Sequence, residues 1–257
     1  MKLDIKNFKA EIPKSIGNVV SVRSSIGEKK VRTWEWIVFS LIPVVGWIIL
    51  LVMLLHKGNC FCVGEKGFAV FKILKKQQEL VLKQEFLFEN LTDLEFSKVR
   101  VYNQYNRYSQ TNYSFEFYSN DKKIYSVSGS YVEDKNDGTP KSWKVYKISA
   151  LLDIEDCWTN YKLPKIIDEF KKSGFAKFKA LDKVIVLGLD YIKVNEVIIK
   201  KEEIRNLSVA DGEFIIETNR ITKGLKKNYY RLTFDVNNIT NQKCFFAIYD
   251  EIVENLI

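Results

Sequence analysis

Few residues of this chain have the types and spacing that enzymatic chemistry needs. His56 is the only histidine in 257 residues, and a serine or cysteine nucleophile usually depends on an imidazole as its general base. The acids of DIED (Asp153, Glu155 and Asp156) are typical of the start of a helix, where carboxylates interact favourably with the helix dipole. GEKG (64–67) lacks the spacing and the following helix of a phosphate-binding loop. We therefore expect no catalytic residues, no enzymatic activity and no cofactor.

Cysteine is the other residue type that could carry chemistry. The chain has four cysteines, Cys60, Cys62, Cys157 and Cys244. Their wide spacing in a chain of this size does not fit a disulfide framework and favours reduced thiols in a cytoplasmic setting. Cys60 and Cys62 share one face of a strand-like run, but a zinc site needs further ligands. No metal site is predicted.

The net charge of +8 is concentrated around one apolar segment. Residues 1–33 contain eight Lys or Arg against three acids, and residues 57–76 contain five Lys against one acid. These flanks sum to +9, and the rest of the chain sums to −1. Such a distribution favours contact with anionic headgroups, at Lys29, Lys30, Arg32 and Lys57. A nucleic-acid groove would need basic residues interleaved with aromatics across a folded face, so nucleic acid is not an expected partner.

The apolar segment reads TWEWIVFSLIPVVGWIILLVMLLH (33–56). From Trp36 to Leu55 no residue is charged, and fourteen of these twenty residues are Ile, Leu, Val or Phe. Each of the fourteen favours the bilayer centre by about 0.3 to 0.6 kcal/mol. A buried core helix is the alternative, although helices of this length that are hydrophobic on every side are uncommon in such domains. We predict a membrane insertion over residues 34–56.

The middle of this segment bears on whether it crosses the membrane or returns. Pro43 and Gly46 divide it into pieces of about nine residues, each about 13 Å long, under half of the hydrocarbon thickness of about 30 Å. A single kinked helix of about 22 residues would still span. Both flanks are basic, as if both faced the cytoplasm, and this favours a re-entrant hairpin. Trp34, Trp36 and Trp47 are expected to be interfacial anchors.

The remainder of the chain predicts strands closed by a helix, twice. Strand-like runs with turn-forming clusters between them precede an amphipathic helix over about 151–172, where a break at Pro164 is left open. A second, shorter set of strands precedes a final helix over about 242–256. FENLTDLEF (88–96) and KEEIRNLSV (201–209) occupy equivalent places. This repeat predicts two domains, residues 1–173 and 174–257.

A resemblance to a known family rests on three stretches of the sequence. They are CVGEKGFAVFK (62–72), FENLTDLEF and FKKSGFAKFKALDKVIVLGLDYIKVNEVIIKKEEIRNLSVADGEFII (170–216). The chain resembles a bacterial family of uncharacterised membrane-attached proteins with two pleckstrin-homology-like halves. The resemblance implies an α+β, mainly β fold of tandem pleckstrin-homology-like barrels or sheets. Each half would be capped by a C-terminal helix, and an apolar membrane hairpin would be inserted near the N-terminus. Related sequences often have a membrane element about twice as long, and no catalytic residues come with the resemblance.

The position of the insertion would settle its topology. If NVVSVRSS (18–25) is the first strand of the first half, the apolar segment lies between strands one and two. Paired strands lie about 4.8 Å apart, so both ends of the insertion would be on one side of the bilayer. A single span would then be impossible.

These features together predict a non-enzymatic membrane-anchored scaffold or adaptor at the cytoplasmic face of the inner membrane. Its basic flanks would bind anionic lipid, and its distal module would bind a protein partner of unknown identity. An accessory subunit of a membrane transport or secretion complex is the first alternative. A soluble ligand-binding protein is the second.

Overall fold

The protein is mainly β in the part of the chain that the structure describes, as the sequence predicts. The computed structural model describes residues 2–5, 8–25, 58–74, 79–133, 140–141, 145–210, 212–221 and 229–254. The strands are β1 Lys2–Ile5, β2 Phe8–Glu11, β3 Val19–Ser24, β4 Asn59–Gly64, β5 Gly67–Leu74, β6 Glu79–Leu87, β7 Asp93–Tyr102, β8 Tyr108–Ser119, β9 Lys122–Glu133, β10 Pro140–Lys141, β11 Phe175–Ala180, β12 Lys183–Gly188, β13 Tyr191–Val194, β14 Val197–Lys200, β15 Ile204–Ala210, β16 Glu213–Ile221 and β17 Tyr229–Asp235. Within these ranges the α-helices are α1 Val145–Ser173 and α2 Gln242–Glu254.

Two successive sets of elements follow the same order. In the first, β3 to β6 are neighbours in one sheet, β7 to β9 are neighbours in another, and α1 follows. In the second, β11 to β14 form one sheet, β15 to β17 form another, and α2 follows. FENLTDLEF and KEEIRNLSV both contain a short 3₁₀ helix, Phe88–Asn90 and Lys201–Glu203, before the first strand of the second sheet. The predicted repeat is therefore present in the order of the elements.

The structure departs from the sequence-based expectation at two places. β1 and β2 form a hairpin that was not predicted, and β2 joins β6 in parallel through the pair Lys9 and Glu79. α1 begins at Val145, earlier than predicted, and continues through Pro164 without a break. The helix ends where Gly174 adopts a φ of 78° and donates its N–H to the carbonyl of Phe170 at 2.8 Å, because glycine accepts this left-handed conformation without steric strain.

The chain forms two compact units that are discontinuous in sequence. Unit 1 comprises Met1–Phe88 and Tyr131–Cys157, and unit 2 comprises Glu89–Ser130 and Trp158–Ile257. The divisions fall inside β9 and inside α1. α1 ends and β11 begins on either side of the boundary between residues 173 and 174, but the predicted division into domains 1–173 and 174–257 stays a prediction.

In unit 1, the central strands β4 and β5 are buried on both faces. Cys60, Cys62 and Phe71 belong to a core cluster on one face. Phe61 points to the other face, where its ring lies 6.4 Å from the ring of Tyr146 in α1. Burial on both sides explains why NCFCVGEKGFAVFKIL is nearly continuous in apolar residues rather than strictly alternating.

In unit 2, α2 packs against the strands through a cluster of aromatic rings. The ring of Phe245 lies 5.2 Å from Phe178 of β11 and 5.4 Å from Phe214 of β16, in both cases edge to face. Such arrangements are favoured by the ring quadrupoles and add to the energy of apolar burial. The aromatic residues of α2 therefore join strands from both sheets of the second set.

Asn241 fixes the start of α2 within unit 2. Its side-chain Oδ1 accepts the N–H of Leu94 at 3.0 Å and the indole Nε1–H of Trp158 at 2.8 Å, and its Nδ2 donates to Asp93 Oδ1 at 2.9 Å. Its backbone N–H donates to the carbonyl of Leu94 at 2.7 Å. Asn241 is buried and has a φ of 52°, a conformation that asparagine tolerates better than most residues. One amide thus links β7, α1 and α2.

We expect Asn241→Ala to destabilise the protein strongly. The substitution leaves the buried donors of Leu94 and Trp158 without their acceptor, at about 1 to 3 kcal/mol each, and places alanine in a left-handed conformation. Urea denaturation should show a loss of roughly 3 to 5 kcal/mol. The exposed Asn206 of β15 provides the control, because Asn206→Ala should change stability by less than about 0.5 kcal/mol. Equal stability of the two variants would contradict the structural role of Asn241.

Candidate membrane-attachment site

Residues 26–57, which contain the apolar segment, connect two strands that are direct neighbours. β3 and β4 pair antiparallel, with Ser24 opposite Cys60, and the N–H of Ser25 donates to the carbonyl of Asn59 at 3.2 Å. Hydrogen-bonded strands lie about 4.8 Å apart. The last described residue before the segment and the first after it are therefore adjacent in space. The prediction that NVVSVRSS forms a strand beside the strand that follows the segment is confirmed.

Gly58 is packed closely where the chain returns from the segment. Its carbonyl accepts the N–H of Ile73 at 3.0 Å. A Cβ atom at this position would overlap the Oγ of Ser25 and would lie 2.9 Å from the Cδ1 of Ile73. Because Gly58 has no side chain, the chain that leads into the segment at Ser25 and the chain that follows it at Gly58 can lie close together.

β3 is the edge strand of its sheet, and side chains join it to α1 within unit 1. Arg23 donates from Nε to Asp153 Oδ2 at 2.7 Å and from Nη2 to Oδ1 at 3.3 Å, and Ser21 Oγ donates to Oδ2 at 2.7 Å. The hydrogen bond to Asp153 raises the pKa of Arg23. Arg23 is a basic residue of the flank that precedes the segment, and its charge is already matched by Asp153.

The interpretation of Asp153 as a helix-dipole residue is wrong. α1 begins at Val145, so Asp153 lies two turns into the helix, beyond the first turn in which the dipole acts. Sequence analysis also missed Arg23 and Ser21. The available signal was their i, i+2 spacing, which places two polar side chains on one face of a predicted strand.

Cys60 and Cys62 lie on β4, immediately after the attachment point. Both are fully buried on the same face, as their spacing predicts. Burial raises the pKa of Cys60 to about 12, with a contribution from Cys62, and burial raises the pKa of Cys62 to about 11. Both thiols therefore stay protonated at neutral pH, and nucleophilic reactivity requires the thiolate. Within the ranges given above, no three His, Cys, Asp or Glu side chains are grouped so that they could hold a metal ion.

All of the predicted membrane and lipid residues lie outside the described residues. The membrane anchors are Trp34, Trp36, Pro43, Gly46 and Trp47, and the lipid contacts are Lys29, Lys30, Arg32 and Lys57. Among the residues that are described, no helix has both the length and the apolar character needed to cross a membrane. The structure does describe β3 and β4, the paired strands that precede and follow residues 26–57.

Unit 2 contains a cluster of ionisable side chains on the sheet formed by β7, β8 and β9. Glu95 and Glu116 lie directly opposite each other. Tyr118 donates its hydroxyl to Glu116 Oε2 at 2.6 Å and lies 3.3 Å from Glu95 Oε2, and Lys123 Nζ lies 2.6 Å from Glu116 Oε2. Burial and the charge of Glu116 raise the pKa of Glu95. Although burial opposes it, the hydrogen bonds from Lys123 and Tyr118 lower the pKa of Glu116.

No protein-family model and no curated protein matches this chain. The resemblance to membrane-attached proteins with pleckstrin-homology-like halves therefore stays a prediction. The described contacts nearest to the apolar segment are those of Ser25, Gly58 and Asn59, which hold the chain together on either side of residues 26–57.

We expect Gly58→Ala to destabilise unit 1 because the added methyl group overlaps Ser25. Replacing the serine hydroxyl by hydrogen removes the nearest obstacle, so the double variant Gly58→Ala/Ser25→Ala should recover most of the loss. Crowding of a packed site typically costs about 1 to 3 kcal/mol. Thermal unfolding of the two single variants and the double variant measures this coupling. Additive effects of the two substitutions would show that the close approach of Gly58 and Ser25 is unimportant.

Glu95→Gln and Glu116→Gln should change stability in opposite directions at pH 7. A raised pKa means that folding favours the protonated form of Glu95 over the ionised form. The protonated side chain therefore stabilises the protein below the ordinary pKa of about 4.5, and this stabilisation is lost as the pH rises through the raised pKa. Glu95→Gln should therefore stabilise the protein at pH 7, by less than about 1 kcal/mol because the side chain is solvent-screened. Glu116 has a lowered pKa, so Glu116→Gln should destabilise at pH 7. Both differences should shrink in acid, as urea denaturation at several pH values would show. Destabilisation by Glu95→Gln at pH 7 would contradict the assignment.

Proposed function

We propose that this protein is a non-enzymatic scaffold attached to the cytoplasmic face of the bacterial inner membrane. In this proposal the apolar segment forms a re-entrant hairpin that is inserted between β3 and β4. Its basic flanks bind anionic lipid, and the distal module, residues 174–257, binds a protein partner. The observation that carries the proposal is the pairing of β3 with β4.

The strand pairing supports a hairpin in preference to a single span. Because Ser25 and Asn59 are joined by a backbone hydrogen bond, a chain that left the membrane on the opposite side could not reach Gly58 without passing back through the bilayer. The uncharged stretch from Trp36 to Leu55 has twenty residues, whereas two full crossings by helices need about 40. A shallow hairpin satisfies both constraints.

The charge distribution supports contact with an anionic surface on one side. Arg23 is matched by Asp153, which leaves Lys29, Lys30, Arg32 and Lys57 as the basic residues nearest to the apolar segment in sequence. Each basic residue near an anionic membrane contributes about 1 kcal/mol of attraction. Since the two strands are paired, both flanks begin from the same place on unit 1.

The order of the elements supports the pleckstrin-homology-like reading of the two halves. The described part of residues 175–254 contains four antiparallel strands, three further antiparallel strands and one closing helix. β3 to β9 and α1 follow the same order. Apolar faces of sheets must be covered, and in residues 175–254 α2 covers part of the second set through Phe245. We assign the role of protein-binding module to this set because it is the half without the insertion.

Cysteine accessibility in intact cells tests the topology. Glu11 precedes the segment and Asn120 follows it, and both are exposed. The four native cysteines are buried, so Glu11→Cys and Asn120→Cys can each be labelled selectively. Labelling of both positions only after the inner membrane is permeabilised is the expected result. Labelling of one position from outside the intact membrane would refute the hairpin.

A shortened chain provides the matched control for attachment. Residues 26–57 are replaced by an Asn-Gly turn, which suits two paired antiparallel strands. The shortened chain should be recovered without detergent and should keep the β-rich circular dichroism of the full chain, whose recovery should need detergent. Release of the full chain without detergent would contradict attachment. Stoichiometric co-purification of a membrane complex with the full chain would instead favour an accessory subunit of a transport or secretion machine.

A further inference from the structure

The turn between β7 and β8, in unit 2, presents aromatic side chains to solvent. We name Tyr102–Tyr108 the tyrosine tip. Tyr102 is 51% exposed and Tyr105 is 74% exposed. The ring of Tyr108 lies 6.2 Å from that of Tyr102, nearly perpendicular to it. Farther back on the same two strands, Phe96 and Phe115 are buried, so aromatic residues continue from the core to the exposed end of the hairpin.

The tyrosine tip is held in one conformation by its own hydrogen bonds. Asn103 Oδ1 accepts the backbone N–H groups of Tyr105 and Arg107, both at 3.0 Å. The N–H of Asn103 donates to the carbonyl of Arg107 at 2.9 Å, and the N–H of Asn106 donates to the carbonyl of Asn103 at 2.9 Å. Asn106 adopts a φ of 56°, which asparagine tolerates. The exposed rings therefore project from an ordered turn.

The charged residues of the β7–β8 hairpin between Glu95 and Glu116 are all basic. They are Lys98, Arg100 and Arg107. Lys98 Nζ lies 4.8 Å from the centre of the Phe96 ring, so its stem follows the apolar surface of the hairpin. A ligand for this end of the hairpin must therefore complement positive charge and accept partly apolar tyrosine rings.

We propose that the tyrosine tip is a second contact with anionic lipid headgroups, an inference that rests on the proposed membrane attachment. Tyrosine suits a boundary where one side is apolar and the other is wet, and basic residues are attracted to an anionic surface. A turn of seven residues is far smaller than the about 20 residues a side of a stable protein interface. Tyr105 and Tyr102 enter the headgroup layer, and Arg107 contacts the phosphates.

Fluorescence from a probe beside Tyr105 tests this contact. Gln104 is exposed, so Gln104→Cys carries an environment-sensitive label while the tyrosines remain. The full chain is reconstituted into phosphatidylcholine vesicles with and without phosphatidylglycerol, together with lipids that carry a quencher. The expected result is a blue shift and quenching only when phosphatidylglycerol is present. A label at Val209→Cys, an exposed apolar position on β15, should remain unquenched in both vesicles.

Two substitutions separate the aromatic and the electrostatic contributions. In the labelled chain, Arg107→Gln should lower the ratio of bound to free tip about fivefold, the equivalent of about 1 kcal/mol for one basic residue. Tyr105→Ser should reduce the blue shift. Arg205→Gln, at an exposed basic residue of β15, should have no effect. Equal effects of Arg107→Gln and Arg205→Gln would overturn the proposal, because they would indicate a general effect of net charge.

The remaining outcomes decide between lipid and other anionic ligands. Emission at position 104 that is independent of phosphatidylglycerol would overturn the proposal. A response to polyglutamate or to a single-stranded oligothymidylate, with none to vesicles, would also overturn it and would identify an anionic polymer as the ligand. Membrane recovery of the chain is measured in parallel. If the label at position 104 does not respond to phosphatidylglycerol but the chain is still recovered with the membrane, the tip proposal is wrong and the proposed function stands. If the full chain is not recovered with the membrane, the proposed function itself is contradicted.

Discussion

The backbone pairing of β3 with β4 is the constraint on which the proposed membrane attachment depends. A ladder that joins Ser24 to Cys60 and Ser25 to Asn59 leaves no freedom in where residues 26–57 begin and end. Gly58 leaves room for the close approach of Ser25, and Asp153 of α1 pairs with Arg23 of β3. An edge strand is ordinarily open to pairing with another chain. In β3, the side chains of Ser21 and Arg23 donate hydrogen bonds to Asp153 of α1, and one edge of the strand is paired with β4.

A different kind of constraint organises unit 2. Asn241 satisfies a strand N–H and an indole N–H with one oxygen and donates to Asp93 with its nitrogen. Aspartate could not supply the donor, and alanine could supply neither group. Buried polar groups that are fully satisfied favour one arrangement over its alternatives, since any shift leaves a donor unpaired in a medium of low dielectric. The same residue provides the left-handed turn before α2, so one asparagine meets a conformational and a hydrogen-bonding requirement together.

Local patterns predicted the order of the elements, and long-range contacts lay beyond them. Strand-like runs separated by turn-forming clusters predicted the strands, and the amphipathic pattern over about 151–172 predicted most of α1. Pro164 left the continuity of α1 open, because propensity alone does not include the packing of Ile166 and Phe170 on the core of unit 2. The β1–β2 hairpin was missed although Leu3 and Ile5, then Phe8 and Ala10, alternate.

The contacts of the candidate site show the same limit. Arg23 and Asp153 are 130 residues apart, and nothing in the local sequence of either residue indicates the other. Asn241 lies 147 residues from Leu94, and its left-handed backbone could not be distinguished from an ordinary helix N-terminus. Sequence analysis did not identify Tyr102, Tyr105 and Tyr108 as an exposed group, because period-two patterns do not reveal where a hairpin extends beyond the core. Sequence patterns therefore indicated that the apolar segment lies between two strands, and the structure identified the contacts of Ser25, Gly58 and Asn59 on either side of it.

The two proposed membrane contacts differ in their physical basis. The apolar hairpin is held by transfer of side chains out of water, which salt strengthens slightly or leaves unchanged. The contact of the tyrosine tip depends on the attraction of Arg107 to anionic headgroups, and such attraction falls off over a Debye length of about 8 Å at physiological ionic strength. A surface contact of this kind responds to the lipid composition of the membrane, whereas the hairpin does not require anionic lipid. In this proposal the hairpin determines whether the chain is attached, and the tyrosine tip adds a contact whose strength depends on the charge of the membrane surface.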